Sequence, residues 1–360
     1  MTRDDIVDDL LNFIAADDPS EDAFNALALK VHDFQFQHNA PYAKFARSRG
    51  KTPRTVKHWS DIPPVPINAF KTLDLTCCLP EDAVAVFMTS GTTQAGRRGK
   101  SYHAGLDVYD ASMRRNFAQR FMRGDTGIKM GILFPTAQMM PNSSLAHYLD
   151  LAITGFGTPD SDWLIGADGI DLARLIHALE QAEATGQSYA LLGASFSLVH
   201  AMDAVQAEGR RFHLPPGSRI LDTGGFKGQS RELELDAFYD ALSETFGVAR
   251  DDCIGMYGMT ELSSQFYDDG NAICPSVKSG PHWVRSRVVN PLTGMAVPKG
   301  ETGVLAHTDL AHYNIVTTIL TEDAAIEVDD GFQLLGRVSG AEAVGCSLAV
   351  DAFLKAAEAG

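Results

Sequence analysis

The sequence predicts an α/β fold: a large body of mainly parallel sheets flanked by helices, a small β-rich subdomain after it, and a short C-terminal tail. Three observations predict it. Short apolar runs recur, and each ends in Gly, Ser, Thr or Pro or stops within one residue of one: AVAVFM (83–88), MGILFP (130–135), YALLGAS (189–195), SRILDTGG (218–225) and CIGMYGM (253–259). Helical stretches such as 169–184 and 232–246 lie between them, and strands alternating with helices imply a mainly parallel sheet. From about residue 283 the texture changes to strands joined by turns, with WVRSRVVNP, GVLAHTD and NIVTTILTED separated by NPLTG and PKGETG.

In chain order, Ile6, Leu10, Leu11 and Ile14 recur at helical spacing over residues 4–15, and Phe24, Leu27, Leu29, Val31 and Phe34 extend a second helical stretch near 21–47. Together they predict an N-terminal helical cap over 1–60. Pro63, Pro64 and Pro66 exclude helix interior from 61–70 and predict an extended connector. The α/β core then covers 61–282, with AVAVFM emptying into the glycine-rich loop TSGTTQAGRRGK and a helix over 105–122. The β-rich subdomain covers 283–337. In the tail, 338–360, Val350, Phe353 and Leu354 stand at i, i+3, i+4 and predict a short helix. Ligands of such sheets bind at the carboxyl ends of strands, where the small polar residues fall.

Composition narrows the function. Of 360 residues 45% are hydrophobic and 21% charged, enough for a real core. The acidic N-terminus MTRDDIVDDLLNFIAADD has no apolar signal region, and no apolar run reaches the roughly 18 residues of a membrane span. A cytoplasmic protein is expected. A net charge of −16 argues against a general nucleic-acid binder, while a nucleotide needs only a local positive pocket. Cys77, Cys78, Cys253, Cys274 and Cys346 are odd in number and contain no C-x-x-C pair. They form neither a disulfide framework nor a zinc signature, so reduced thiols are expected.

Thr89-Ser90-Gly91-Thr92-Thr93 is the most informative string. Glycine lets backbone approach a phosphate, and hydroxyls with backbone N–H groups wrap its oxygens. Arg97, Arg98 and Lys100 follow as cations. The Walker spacing is absent, and taken alone the string fits a polar surface turn equally well. It does not stand alone. Thr223-Gly224-Gly225 and Tyr257-Gly258-Met259-Thr260-Glu261 also follow strands, and Thr321-Glu322-Asp323 and Gly336-Arg337 come downstream.

In this order the motifs resemble the adenylate-forming superfamily of acyl- and aryl-CoA ligases, luciferases and adenylation domains, over roughly residues 60–346. The resemblance implies use of ATP and Mg²⁺. Thr89, Ser90, Gly91, Thr92 and Thr93 would hold phosphates, and Glu261 would be the Mg²⁺ ligand with Thr260 at the α-phosphate. Gly224, Gly225, Tyr257 and Gly258 would flank adenine, and Asp323 the ribose hydroxyls. Arg337 would contact ribose or phosphate. Plainer readings stand beside these: an acid at a helix start for Glu261, a core aromatic for Tyr257, a turn acid for Asp323 and a surface cation for Arg337.

Only 23 residues follow Arg337, so the usual C-terminal domain and its catalytic lysine have no counterpart. Lys100 and Lys227 are the candidate replacements, although Lys227 in GFKG also fits a solvated turn. IPPVPINAFK, LDTGGFKGQ and GRVSGAEAVGCSL resemble the LuxE-type acyl-protein synthetase branch, in which a cysteine near the C-terminus accepts the acyl group. Cys346 is the matching position, just before the expected terminal helix, although on residue type alone it would be a buried inert thiol. The expected activity is activation of a carboxylic acid, fatty by resemblance, to acyl-AMP followed by thioester formation on Cys346. A reductase or carrier protein would be the partner. An acyl- or aryl-CoA ligase using CoA is the alternative, and a noncatalytic scaffold the second.

Overall fold

The computed structural model describes residues 2–90, 97–166, 169–225 and 230–358. The chain opens with three helices, α1 (Arg3–Ala15), α2 (Glu21–His38) and α3 (Ala40–Ser48). Thr2 and Asp5 form a reciprocal capping box on α1, and the Ser20 hydroxyl caps α2. The stretch expected as one helix over 21–47 is two. Asn39 is extended, its side chain accepts from the Tyr42 N–H, and Pro41 sits in the first turn of α3, where its missing N–H costs nothing.

Among the described residues six further α-helices follow: α4 (Asp107–Phe117), α5 (Ser144–Phe156), α6 (Leu172–Thr185), α7 (Ser195–Ala207), α8 (Leu235–Phe246) and α9 (Gly340–Glu358). The first main sheet has the order Phe266–Tyr267, Cys253–Tyr257, Arg219–Asp222, Tyr189–Gly193, Lys129–Leu133, Asp162–Trp163. All its pairings are parallel except that of Phe266–Tyr267. Its central strands are buried at every residue, because α4 and α5 cover one face and α6, α7 and α8 the other.

The AVAVFM strand, Ala85–Met88, is not in that sheet. It pairs antiparallel with Lys100–His103, a strand too short to be read from its sequence, so the glycine-rich loop joins two strands rather than a strand and a helix. The second main sheet is antiparallel, in the order Val277–Lys278, Gly331–Arg337, Thr318–Val328, Thr302–Asp309, Val284–Val289. It recruits the proline segment: Val65–Pro66 pairs parallel with Ile319–Leu320. The terminal helix is longer than expected. It begins at Gly340 and docks on α3 through Phe353 and Phe45, whose rings lie 4.6 Å apart. Among the described residues no helix is long and apolar enough to cross a membrane.

Candidate active site

The site is built where strand ends of the parallel sheet face the antiparallel one. After Asp222 the chain turns through Gly224 and Gly225, at φ +76° and +87°, conformations that favour glycine. Asp222 anchors the turn: its buried carboxylate accepts from Ser195 Oγ (2.7 Å), the Gly224 N–H (2.9 Å) and the Tyr239 hydroxyl (3.1 Å). Burial pushes its pKa up. Across the gap the Tyr257 hydroxyl donates to Asp323 Oδ2 at 2.7 Å, and Arg337 Nε lies 3.4 Å from Asp323 Oδ1. Tyr257 also packs against Phe266, His307 and Phe332, which fixes its ring. Gly224, Gly225, Tyr257, Gly258, Asp323 and Arg337 line one cavity of about 520 Å³.

The glycine-rich loop is closed at its neck by two hydrogen bonds. The Thr89 N–H donates to the Gly99 carbonyl and the Gly99 N–H to Thr89 Oγ1, each at 3.0 Å. A Cβ at Gly99 would stand 3.1 Å from Glu261 Oε1, so the carboxylate of the Y-G-M-T-E motif rests against that neck. Gly91, Thr92, Thr93 and Lys227 lie outside the described residues. Ser90 is exposed. Thr260 lines a small pocket of about 120 Å³ with Tyr109, Tyr148 and Met259; the pocket shares Thr223, Gly224 and Gly258 with the larger cavity.

The sequence places Glu261 at a loop end, yet it is only 4% exposed. Burial is the main cause that pushes its pKa up to about 7, against the pull of the Lys71 and Arg337 cations. Among the described residues no group of three or more His, Cys, Asp or Glu could hold a metal. A lone carboxylate still fits Mg²⁺, which keeps most of its waters and binds through one or two carboxylates and substrate phosphates.

Two residues not singled out from the sequence join the site. Lys71 Nζ donates to Asn68 Oδ1 at 2.6 Å, and Asn68 in turn donates to Glu322. Lys71 lines a cationic cavity of about 490 Å³ with Arg97, Arg98 and Lys100. Lys100 itself points to the Tyr102 hydroxyl at 3.3 Å. The available signal for Lys71 was that it directly follows the proline connector, whose fixed backbone aims what comes after it.

Cys346 lies inside α9, in its second turn, and not ahead of a helix as expected. It also lies on the face of the antiparallel sheet away from Tyr257 and Asp323. Its side chain packs with Val289, Val304, Ala306 and Leu320, which alternate along their strands with Leu305, His307 and Ile319. Tyr257 and Asp323 belong to the face of His307, so the sheet separates Cys346 from the cavity. The thiol is 3% exposed and donates weakly to the Thr321 carbonyl at 3.8 Å. Burial first, then Glu322, Glu342 and Asp323, push its pKa up to about 11. In this arrangement it is a protonated thiol, not a nucleophile.

A family model described as acyl-protein synthetase, LuxE, matches residues 2–354. The chain is 22% identical, over 89% of its own length and 85% of the relative's, to a long-chain-fatty-acid–luciferin-component ligase of Vibrio harveyi. The crystal structure of 2-hydroxyisobutyryl-CoA ligase in complex with 2-HIB-AMP, in the postadenylation state, superposes with a TM-score of 0.66 at 15% identity, covering 88% of this chain and 68% of that one. ATP-bound MatB from Rhodopseudomonas palustris gives a TM-score of 0.51 at 18% identity, over 72% of this chain and 49% of that one.

Proposed function

The chain belongs to the LuxE acyl-protein synthetase family, and from that premise we propose that it activates a long-chain fatty acid with ATP and then carries the acyl group as a thioester on Cys346. In the first step a carboxylate oxygen attacks the α-phosphorus, the bond to the pyrophosphate oxygen breaks, and acyl-AMP and pyrophosphate form. In the second the Cys346 thiol loses its proton, sulfur attacks the acyl carbon, and AMP leaves. A reductase or another acceptor takes the acyl group next.

The observation that carries the reading is convergence. Gly224, Gly225, Tyr257, Asp323 and Arg337 come from separate stretches of chain and line one cavity, and Glu261 rests against the Thr89–Gly99 neck, near enough to feel the charges of Asp323 and Arg337. In this reading Asp323, already held by Tyr257 and Arg337, accepts the two ribose hydroxyls, and the glycine turn lets adenine lie against backbone. Thr89 and its loop hold the phosphates. Glu261 would hold Mg²⁺, which would supply positive charge to the phosphate oxygens. Lys71, which lines the cationic cavity and acts on the Glu261 carboxyl, supplies a cation to the phosphates. Charge in such a transition state spreads over oxygens, so catalysis is positioning plus electrostatic stabilisation. The pocket beside Thr260, whose walls mix Tyr109, Tyr148 and Met259 with Ser144, Thr223 and Gln265, suits the carboxyl end of the acid.

Intact-mass measurement after incubation with ATP, Mg²⁺ and a panel of fatty acids tests the reading. Wild type is expected to gain one hydroxylamine-labile acyl group. Cys346→Ser is expected to lose it while keeping acid-dependent exchange of pyrophosphate into ATP. Release of acyl-CoA on addition of CoA, with no labelling at any stage, would instead make the protein a CoA ligase.

A further inference from the structure

We infer that the apolar cavity beside Cys346, between helix α9, the proline segment 62–66 and the loop 291–296, is a harbour for the acyl chain while that chain is carried on Cys346. The inference rests on the reading of Cys346 as acceptor. The cavity measures about 560 Å³, within the range of small-molecule sites. Its walls include Phe45, Pro64, Leu292, Met295, Leu348 and Ala352.

Two observations tie it to the cysteine. Leu320 and Ala349 belong both to the cavity wall and to the cluster packed around Cys346, so the cavity begins where the sulfur's own surroundings end. On α9, Cys346, Ala349 and Ala352 stand at i, i+3 and i+6, on one side of the helix, and both alanines line the cavity.

The walls also indicate what fills it. Leu292, Met295 and Leu348 are 60%, 71% and 52% exposed, a cluster of bare apolar side chains at the mouth. Of the polar residues at the rim, Lys51 and Asp61 are paired with each other at 3.0 Å, Ser60 Oγ bonds His58 and Thr293 Oγ1 accepts from the Met295 N–H, and the Arg49 and Arg287 guanidinium groups lie over the Phe45 and Trp59 rings, with Arg287 Nε left without a hydrogen bond among the described residues. A hydrocarbon tethered at one end covers the apolar part of this surface. The sheet stands between this cavity and the face that bears Tyr257 and Asp323. The acylated helix therefore loads elsewhere and returns to this position with its cargo, which buries the thioester away from water and from the adenylate.

The test loads the full chain, using ATP and Mg²⁺, with a long-chain fatty acid bearing a diazirine at its far end, then irradiates and maps the cross-links by mass spectrometry. Cross-links from acyl-Cys346 to residues 291–296 and 348–352 are the expected result. A filled harbour, Ala352→Trp, should leave pyrophosphate exchange within about twofold and shorten the thioester lifetime in water at least about fivefold for a long chain, with little change for a four-carbon one. Labelling of Cys346 with cross-links at Tyr109, Met256 or Met259, or in no protein residue, would overturn the harbour and leave the acceptor reading intact. No label on Cys346 would remove both. Equal cross-linking of the same residues in Cys346→Ser would mean a site for free fatty acid and would overturn the tethered occupant.

Discussion

Glu261 is the residue whose environment and proposed task pull hardest against each other. Its carboxyl rises from an ordinary 4.5 to about 7, chiefly through burial. The folded chain therefore holds this proton more tightly than the unfolded chain, so the contribution to stability is present below pH 4.5 and is lost as pH rises through about 7. At about 1.4 kcal/mol per pH unit the loss is at most about 3 to 4 kcal/mol. Glu261→Gln, which has no such proton to lose, should be the more stable protein in the absence of ligand at about pH 8, with the gain shrinking toward about pH 5, as read by urea denaturation at both values. The same substitution should lower pyrophosphate exchange about a hundredfold at saturating Mg²⁺, the scale of losing a charge-stabilising group. Lys71 acts on the same carboxyl from outside, favouring its charged form. Lys71→Met should cut exchange at least about tenfold and also move the rise of activity with pH to higher pH, a shift that loss of packing alone would not produce.

At the scale of elements, the terminal helix is the part whose position matters most. Gly345 brings α9 close enough to loop 291–296 that a Cβ there would stand 2.8 Å from Pro291 Cγ, so at this point only glycine lets the helix seat. The helix is held at its far end by Phe353 against Phe45 and by Lys44 Nζ on the Ala357 carbonyl at 3.1 Å. With its thiol at about 11, Cys346 reacts slowly while α9 is docked. Phe353→Ala removes a wholly buried ring from the contact between α9 and the core and should shift α9 toward its undocked state. The expected outcome is at least about a tenfold faster reaction of Cys346 with a maleimide, read on its own peptide, with pyrophosphate exchange retained. Unchanged labelling would mean that the helix does not leave as a unit.

At the scale of the whole molecule, charge is distributed unevenly. The chain carries −16 overall, yet Lys71, Arg97, Arg98 and Lys100 line one cavity beside the neck of the glycine-rich loop. A local positive pocket in an anionic molecule makes nucleotide capture sensitive to screening, whose length falls from about 10 Å at 0.1 M salt to about 3 Å at 1 M. Raising KCl across that range should increase KM for ATP severalfold and leave KM for the fatty acid nearly unchanged. The sequence by itself determined the alternation of strands and helices, the small-residue turns at strand ends and the motif set from Tyr257 to Arg337, because each depends on local periodicity or on glycine and hydroxyl chemistry within a few residues. It could not place Lys100–His103, four residues with no period to detect, nor join Val65–Pro66 to Ile319–Leu320, a pairing across about 250 residues of chain. Only the tertiary structure brought Lys71 to Glu261, buried that carboxyl, and put Cys346 behind the sheet. Which face of a sheet a helix covers is set by packing between distant segments, and burial, which raises both pKa values, exists only once those segments meet.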